Sequence, residues 1–129
     1  MELILTPLEK AVASLAKAVQ QPKDEFIRDA VIQRFEYTYE LCWKMLRRRL
    51  AEDQGESEVK LLSRKELFRM AAEYELLSDP APWFSYHKAR NETSHIYDEK
   101  KAEEVYLIAV QFLTDAQMLL KRLQERNRG

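Results

Sequence analysis

The residues best suited to chemistry are concentrated in one stretch, WFSYHKARNETSHIY, from Trp83 to Tyr97. It holds both histidines of the chain, with Arg90 and Asn91 five and four residues ahead of His95. Imidazole titrates near neutral pH, so His95 can both accept and donate a proton. The guanidinium of Arg90 is a permanent cation whose fork matches phosphate oxygens. Such a set, without metal ligands, favours cleavage of RNA by its own 2′-hydroxyl, which leaves a cyclic phosphate end.

Helical geometry sets a condition on this chemistry. Arg90 and His95 are five residues apart, so on an uninterrupted helix they point about 140° away from each other. They can flank one phosphate only if the helix frays or ends around Ser94, or if Arg90 reaches round. Asn91, one turn before His95, can orient the imidazole, and we expect His87 and Ser94 to bind or orient the ligand. Apolar anchors and polar groups share one ideal helical arc of about 120°: Trp83, Phe84, His87, Asn91, Ser94 and His95.

Other interpretations of these residues stay open. An Arg-Asn-x-x-x-His pattern on a helix is also typical of a capping or packing network without a catalytic role. A metal site at His87 and His95 is the weaker alternative, because they lie two turns apart with no cysteine or obvious second carboxylate pair beside them; we predict no metal ligands. The sequence contains no glycine-rich phosphate loop, no G-x-S-x-G and no Cys-His dyad with a third orienting group.

Composition favours a helical protein with one domain over residues 1–129. A chain of 129 residues can bury roughly two-thirds of the surface that its unfolded form exposes. Only two glycines and four prolines are present, which leaves little material for hairpins. The formal net charge of -1 argues against a strongly basic nucleic-acid scaffold, but a local basic patch can still bind phosphate.

The single cysteine and the lack of long apolar runs indicate the expected cellular location. Cys42 cannot form an intrachain disulfide, and its neighbours Leu41 and Trp43 predict a buried thiol. No signal peptide and no run of about 18 apolar residues is visible. We therefore expect a cytoplasmic protein with no membrane contact.

Five helices are predicted to position the chemical residues. The first starts with Thr6 as N-cap and Pro7 in the first turn. Asp24 caps a second helix that runs to about Asp53. Apolar residues cover well over half of its circumference, so this helix is expected to be central or to form a subunit interface. Residues 52–62 are predicted to be a loop.

Arginines on the second helix have two possible roles. Arg34 stands inside the apolar arc, and we expect it to pair with an acid or to serve the site. Arg47, Arg48 and Arg49 are predicted to close the helix, where cations are favourable at the negative end of the dipole. Phosphate capture is the alternative for these three.

Capping residues mark the remaining helices. Ser63 and Glu66 form a capping box for a short third helix, and Pro82 can sit in the first turn of the fourth. Asp98 can cap a fifth helix to about Arg126, as long as the second, as expected for the long pair of an antiparallel bundle. The predicted inward residues of the third helix are Leu67, Met70, Ala71, Tyr74 and Leu77.

Two motifs in this order resemble a known family. The run from Arg90 to Asp98, RNETSHIYD, resembles the Arg-x4-His-x-Tyr signature of the HEPN superfamily. IQRFEYTYELCWKML, from Ile32 to Leu46, is similar to the HEPN branch known as nucleotidyltransferase substrate-binding proteins. The likeness extends from the first helix through Val105.

The resemblance implies an all-α homodimer, an up-and-down four-helix bundle with an additional short helix, encoded beside a small nucleotidyltransferase that it binds. In related toxin–antitoxin pairs this subunit is a metal-independent endoribonuclease without a cofactor, whose Arg and His are here Arg90 and His95. The nucleotidyltransferase silences it by adding adenylate to the motif tyrosine, here Tyr97. Asn91 matches the polar residue that often follows the motif arginine.

A dimer would complete the chemistry. Each protomer offers one motif histidine, whereas cyclising cleavage needs an acid and a base, which two copies supply. The name of the branch keeps an alternative open, because a shared motif does not fix activity. That alternative is a non-catalytic subunit which binds a nucleotide or substrate in the same cleft. A purely structural subunit is the third interpretation.

Overall fold

The helix Glu25–Gln54, named α2, is the element against which the other helices pack. The computed structural model describes residues 2–128, and helix α2 within it contacts all five other α-helices. The all-α prediction is confirmed, and no described residue lies in a β-strand. The up-and-down order of a four-helix bundle and the homodimer remain predictions. The α-helices are α1 Thr6–Val19, α2 Glu25–Gln54, α3 Glu56–Val59, α4 Arg64–Glu73, α5 Ala81–Asn91 and α6 Glu99–Arg128, with a 3₁₀ turn at Thr93–His95.

Helices α2 and α6 form the long pair, as predicted, with 30 residues each. Their contact is centred on aromatic rings: Phe112 of α6 packs edge-on against Phe35 of α2 with ring centroids 5.1 Å apart. Edge-to-face pairs add to the free energy gained from area burial alone. The buried positions of α6 are all apolar and recur every three or four residues: Ala102, Val105, Ala109, Phe112, Ala116, Leu119 and Leu123.

The predicted caps are confirmed at three helices and wrong at one. Asp24 Oδ1 accepts the backbone N–H of Ile27 at 2.7 Å, and Ser63 and Glu66 form the reciprocal capping box. Asp98 Oδ1 accepts the backbone N–H of Lys100 at 3.0 Å. Thr6 is instead the first residue of α1, because Leu5 occupies the N-cap without a side-chain hydrogen bond.

The predicted loop at residues 52–62 is partly helical, so the chain has six α-helices rather than five within residues 2–128. Helix α2 continues to Gln54, and Gly55 turns the chain at φ 102°, a value that glycine adopts without steric cost. The short helix α3 then buries Val59. Arg47 Nη2 lies 2.9 Å from Glu56 Oε1, which ties α3 back to α2.

The arginine predictions for α2 are corrected by its greater length. Because α2 ends at Gln54, Arg47, Arg48 and Arg49 stand before its last turn and do not close the helix. Arg49 is buried and pairs with Asp53 at 2.9 Å, so it is held within the fold. Arg34 pairs with no acid among the described residues; its Nη1 donates to the carbonyl of Ser14 at 2.8 Å.

Burial confirms most of the other expectations. Cys42 is fully buried. Leu67, Ala71 and Leu77 are also buried, whereas Tyr74 is exposed because it caps the end of α4. In the part of the chain that the structure describes, no helix combines the length and apolar character needed to cross a membrane.

Candidate functional site

The helix that carries the chemical residues ends at Asn91, earlier than the ideal-helix prediction required. A 3₁₀ turn follows at Thr93–His95, and α6 begins at Glu99. The prediction that Ser94 and His95 lie on one helical arc with Trp83 is therefore wrong. The break meets the stated condition for the pair, because the 140° separation of Arg90 and His95 applies only to an unbroken helix, about 100° per residue.

Aromatic burial fixes the face that α5 presents. Trp83 and Tyr86 are buried against Phe112 of α6, with ring centroids 5.7 Å and 5.1 Å away. The Tyr86 hydroxyl donates to Asp115, so the ring is also held through its polar end. With this face in the core, His87 is half-buried and Asn91 is exposed.

A threonine holds the turn between Arg90 and His95 against α2. The Thr93 hydroxyl oxygen lies 2.6 Å from Glu36 Oε2 and 2.8 Å from the carbonyl oxygen of Arg90. The hydroxyl carries one hydrogen, so it can donate to only one of these two oxygens at a time. Thr93 thus couples the end of α5 to a carboxylate of α2.

A second carboxylate of α2 holds Arg90 itself. Arg90 Nε lies 2.9 Å from Glu40 Oε1, a close ion pair whose angle departs from that of a hydrogen bond. Arg64 Nη1 approaches the same oxygen at 3.4 Å. Glu36 and Glu40 are one helical turn apart, so α2 contacts the motif segment through two adjacent carboxylates.

His87 belongs to a separate polar cluster beside Arg90. Its Nδ1 lies 3.0 Å from the Tyr39 hydroxyl oxygen, and its Nε2 lies 3.4 Å from Asn91 Nδ2. Burial first, then the positive charge of Arg64, lowers the pKa of His87 from its ordinary value. Burial raises the pKa of Tyr39 to about 12. Both groups are therefore neutral near pH 7, where they act by hydrogen bonding.

The remaining predicted site residues are on the surface. Ser94 and His95 are exposed, and Tyr97 is 84% exposed. The His95 and Tyr97 rings meet edge to face with centroids 6.2 Å apart. Asn91 contacts His87, and the expectation that it orients His95 remains a prediction.

The far end of the motif is anchored by a buried arginine that sequence reasoning missed. Arg28 of α2 is 4% exposed, and its Nη1 donates to Glu99 Oε2 at 2.7 Å. This hydrogen bond lowers the pKa of the Glu99 carboxyl. Because Glu99 opens α6, Arg28 fixes the point at which the chain leaves the Tyr97 segment.

Glu36, Glu40 and Arg64 were also missed as site residues. One signal was available: Glu36 and Glu40 belong to a narrow polar stripe on an otherwise apolar helix. Acids one turn apart on such a stripe are suited to holding cations or donors from a neighbouring helix. Nothing in the sequence indicated which helix would supply them.

The motif supplies one cation held by α2 and one group that can transfer a proton. Arg90 forms an ion pair with Glu40 through Nε, a guanidinium fork can bind an anion, and His95 is accessible to solvent. No cluster of three or more His, Cys, Asp or Glu suited to a metal ion occurs within residues 2–128.

The fold and site define an all-helical protein whose Arg-x4-His-x-Tyr motif begins at the end of α5 and continues into the turn that follows. The family model "Nucleotidyltransferase substrate binding protein like" matches residues 3–125. The chain belongs to this family, which confirms the resemblance inferred from its motifs.

Individual relatives agree with this assignment. A Haemophilus influenzae protein named "Probable ribonuclease HepT" is 34% identical over 98% of this chain and 95% of its own length. A solved structure from Haemophilus influenzae, described as the fold of a substrate binding domain of a nucleotidyltransferase, superposes with a TM-score of 0.86. It is 32% identical and covers 94% of this chain and 99% of its own. A crystal structure from Thermus thermophilus has a TM-score of 0.73 at 32% identity, over 95% and 99% of the two chains.

Proposed function

We propose that this protein is a metal-independent endoribonuclease that acts as a homodimer and is controlled by a partner nucleotidyltransferase. The observation that carries the proposal is the α5 break, where Arg90 is fixed by Glu40 and the exposed His95 follows in the next turn. The similarity to a protein named as a probable ribonuclease supports the same activity. A role as the toxin of a toxin–antitoxin pair in the cytoplasm is part of this proposal.

The proposed reaction needs one base and one acid. The RNA 2′-hydroxyl loses its proton to one His95 and attacks the adjacent phosphorus, while the bond to the 5′-oxygen breaks. The leaving 5′-oxygen takes a proton from His95 of the partner subunit, which yields a 2′,3′-cyclic phosphate and a 5′-hydroxyl. Arg90 stabilises the charge that builds up on the phosphoryl oxygens.

Cleavage of RNA in the presence of EDTA tests this activity. Wild-type protein should release cyclic phosphate ends, and His95→Ala and Arg90→Ala should each lower the rate by at least about 100-fold. Sedimentation should show that both variants remain dimers. Equal cleavage by His95→Ala would overturn the assignment of the catalytic residues.

Regulation is proposed to act at Tyr97. Its hydroxyl is on a ring that is 84% exposed beside His95, so a transferred adenylate would place negative charge at the site. After incubation with the neighbouring nucleotidyltransferase and ATP, mass spectrometry should find adenylate on wild type and none on Tyr97→Phe. An unmodified wild-type tyrosine under conditions where the transferase is active would remove this part of the proposal.

A non-catalytic subunit that binds a nucleotide for the transferase is the second candidate. The neutral His87, with Tyr39 and Asn91 beside Arg90, offers hydrogen bonds suited to a nucleotide. Nucleotide binding by an otherwise inert protein, weakened by Arg90→Ala, would favour this function over the ribonuclease.

A further inference from the structure

Helix α4 places three cations over aromatic rings from two other helices. Arg64 Cζ lies 4.5 Å from the ring centroid of Trp43 on α2. Lys65 Nζ and Arg69 Cζ lie 5.7 Å and 5.4 Å from the ring centroid of Phe84 on α5. All three distances are within the range of cation–π attraction. We name these five residues the cation–aromatic patch.

Repulsion between two cations opposes the cation–π attraction within the patch. Lys65 and Arg69 are both exposed and stand four residues apart on one helix, where like charges repel. Glu66, the acid between them, turns its Oε1 back to the backbone N–H of Ser63 at 2.9 Å. Two neighbouring cations over one ring are instead suited to a polyanion with flat groups.

The patch is continuous with the motif arginine. Arg64 stacks on Trp43 and also approaches Glu40 Oε1 at 3.4 Å, and the same oxygen lies 2.9 Å from Arg90 Nε. A chain of direct contacts therefore leads from the patch to Arg90. A ligand bound at Arg90 that extends toward α4 would meet alternating cations and rings.

We propose that the cation–aromatic patch binds single-stranded RNA on one side of the phosphate held at Arg90. Lys65 and Arg69 move from the Phe84 ring to contact phosphates, so that one base stacks on Phe84 and another on the Arg64–Trp43 pair. Positive surfaces of this kind with accessible rings hold single strands with little sequence preference, since every base has a flat face. This inference rests on the proposed function in that the ligand is the RNA to be cleaved.

Binding of an RNA that cannot be cleaved tests the patch separately from catalysis. The probe is a fluorescent single-stranded oligonucleotide with 2′-O-methyl groups, which removes the attacking hydroxyl, and the measurement is anisotropy over a salt series. Lys65→Gln with Arg69→Gln should weaken binding about tenfold and reduce the slope of log affinity against log salt by about 1.4. The matched control, Lys10→Gln with Lys121→Gln, removes the same charge from exposed positions on α1 and α6 and should leave both values unchanged.

Phe84→Leu tests the stacking contribution, because it keeps an apolar side chain but removes the ring. Binding should weaken about fivefold or more, with an unchanged salt slope. Equal affinity of the Lys65/Arg69 variant and the control variant would overturn the proposal, even if wild type cleaves RNA. RNA binding through the patch by a protein that does not cleave RNA would instead retain the patch and reject only the nuclease.

Discussion

At the scale of single residues, the carboxylate of Glu40 influences the orientation in which the Arg90 guanidinium binds a ligand. The ion pair at Nε occupies one side of the guanidinium and favours one orientation of the side chain on α2. A bidentate contact with phosphate through the remaining nitrogens then needs little further ordering of the side chain. Glu40 is thus a positioning residue for the proposed reaction.

Glu40→Gln should lower the rate of RNA cleavage by about 10- to 100-fold, because a neutral amide holds the guanidinium less firmly. The loss should fall mainly on kcat, since the phosphate-binding cations Lys65 and Arg69 lie over Phe84 rather than at Glu40. Glu73→Gln, which removes an exposed acid at the end of α4, serves as the control. Unchanged kcat in Glu40→Gln would contradict the positioning role.

His87 makes stability depend on pH with a defined sign. Its pKa is lowered in the folded protein, so the unfolded chain binds a proton more readily. The contribution of His87 to stability is therefore present above its unfolded pKa and is lost as the pH falls below that value.

Denaturant unfolding between about pH 7.5 and about pH 5.5 checks this expectation. Wild type should lose more free energy of unfolding over this interval than His87→Asn, which cannot titrate. The same measurement on His95→Asn, a replacement at an exposed position, gives the control against which the His87→Asn result is compared. An identical pH dependence in wild type and His87→Asn would show that the polar cluster does not exclude the charged imidazole.

At the scale of elements, the break after α5 separates Arg90, on the helix, from His95 and Tyr97 in the segment that follows. Thr93 couples that break to α2, and Arg28 anchors the start of α6 just beyond it. The segment between Arg90 and Glu99 is therefore fixed at both ends by side chains of a single helix. Its middle, with His95 and Tyr97, remains accessible.

Thr93→Val should reduce the free energy of unfolding by about 1–2 kcal/mol, because it removes a hydroxyl that contacts Glu36 and the Arg90 carbonyl. Urea titration measures this change. Thr114→Val, at an exposed position in α6, should have little effect. RNA cleavage should fall further than the stability loss explains, and full activity in Thr93→Val would contradict a role for the turn.

The sequence predicted a helix boundary where a local side-chain contact caps it. It was less informative where residues distant in the chain hold the boundary. Asp24, Ser63 and Asp98 cap their helices through hydrogen bonds to residues two to three positions away, which a sequence pattern reveals. Thr93, which follows the end of α5, also contacts Glu36, 57 residues away in the chain, and no local pattern encodes that contact. The motif residues could therefore be named from sequence, but not the glutamates that hold them.

At the scale of the whole molecule, one aromatic cluster supports both the core and the site. Phe112 of α6 contacts Phe35 of α2 and the Trp83 and Tyr86 rings of α5. The same packing that joins the two long helices therefore sets the position of α5. A change at this cluster should affect stability and activity together.

Phe112→Ala should reduce the free energy of unfolding by about 3–5 kcal/mol, since it leaves a cavity among rings that cannot close it. Phe26→Ala, which removes a phenylalanine that is 81% exposed on α2, should change the value by less than about 0.5 kcal/mol. Chemical denaturation gives both numbers. A cost below about 1 kcal/mol for Phe112→Ala would mean that the cluster is not the centre of the core.

The seclusion of Cys42 has a practical consequence. Its thiol has no exposed surface, and burial raises its pKa, so reagents that attack thiolates should leave the folded chain unmodified. In a Ser94→Cys variant, the introduced cysteine would then be the one reactive thiol of the folded protein. A spin label attached there would report how far apart two copies hold their motif turns in solution.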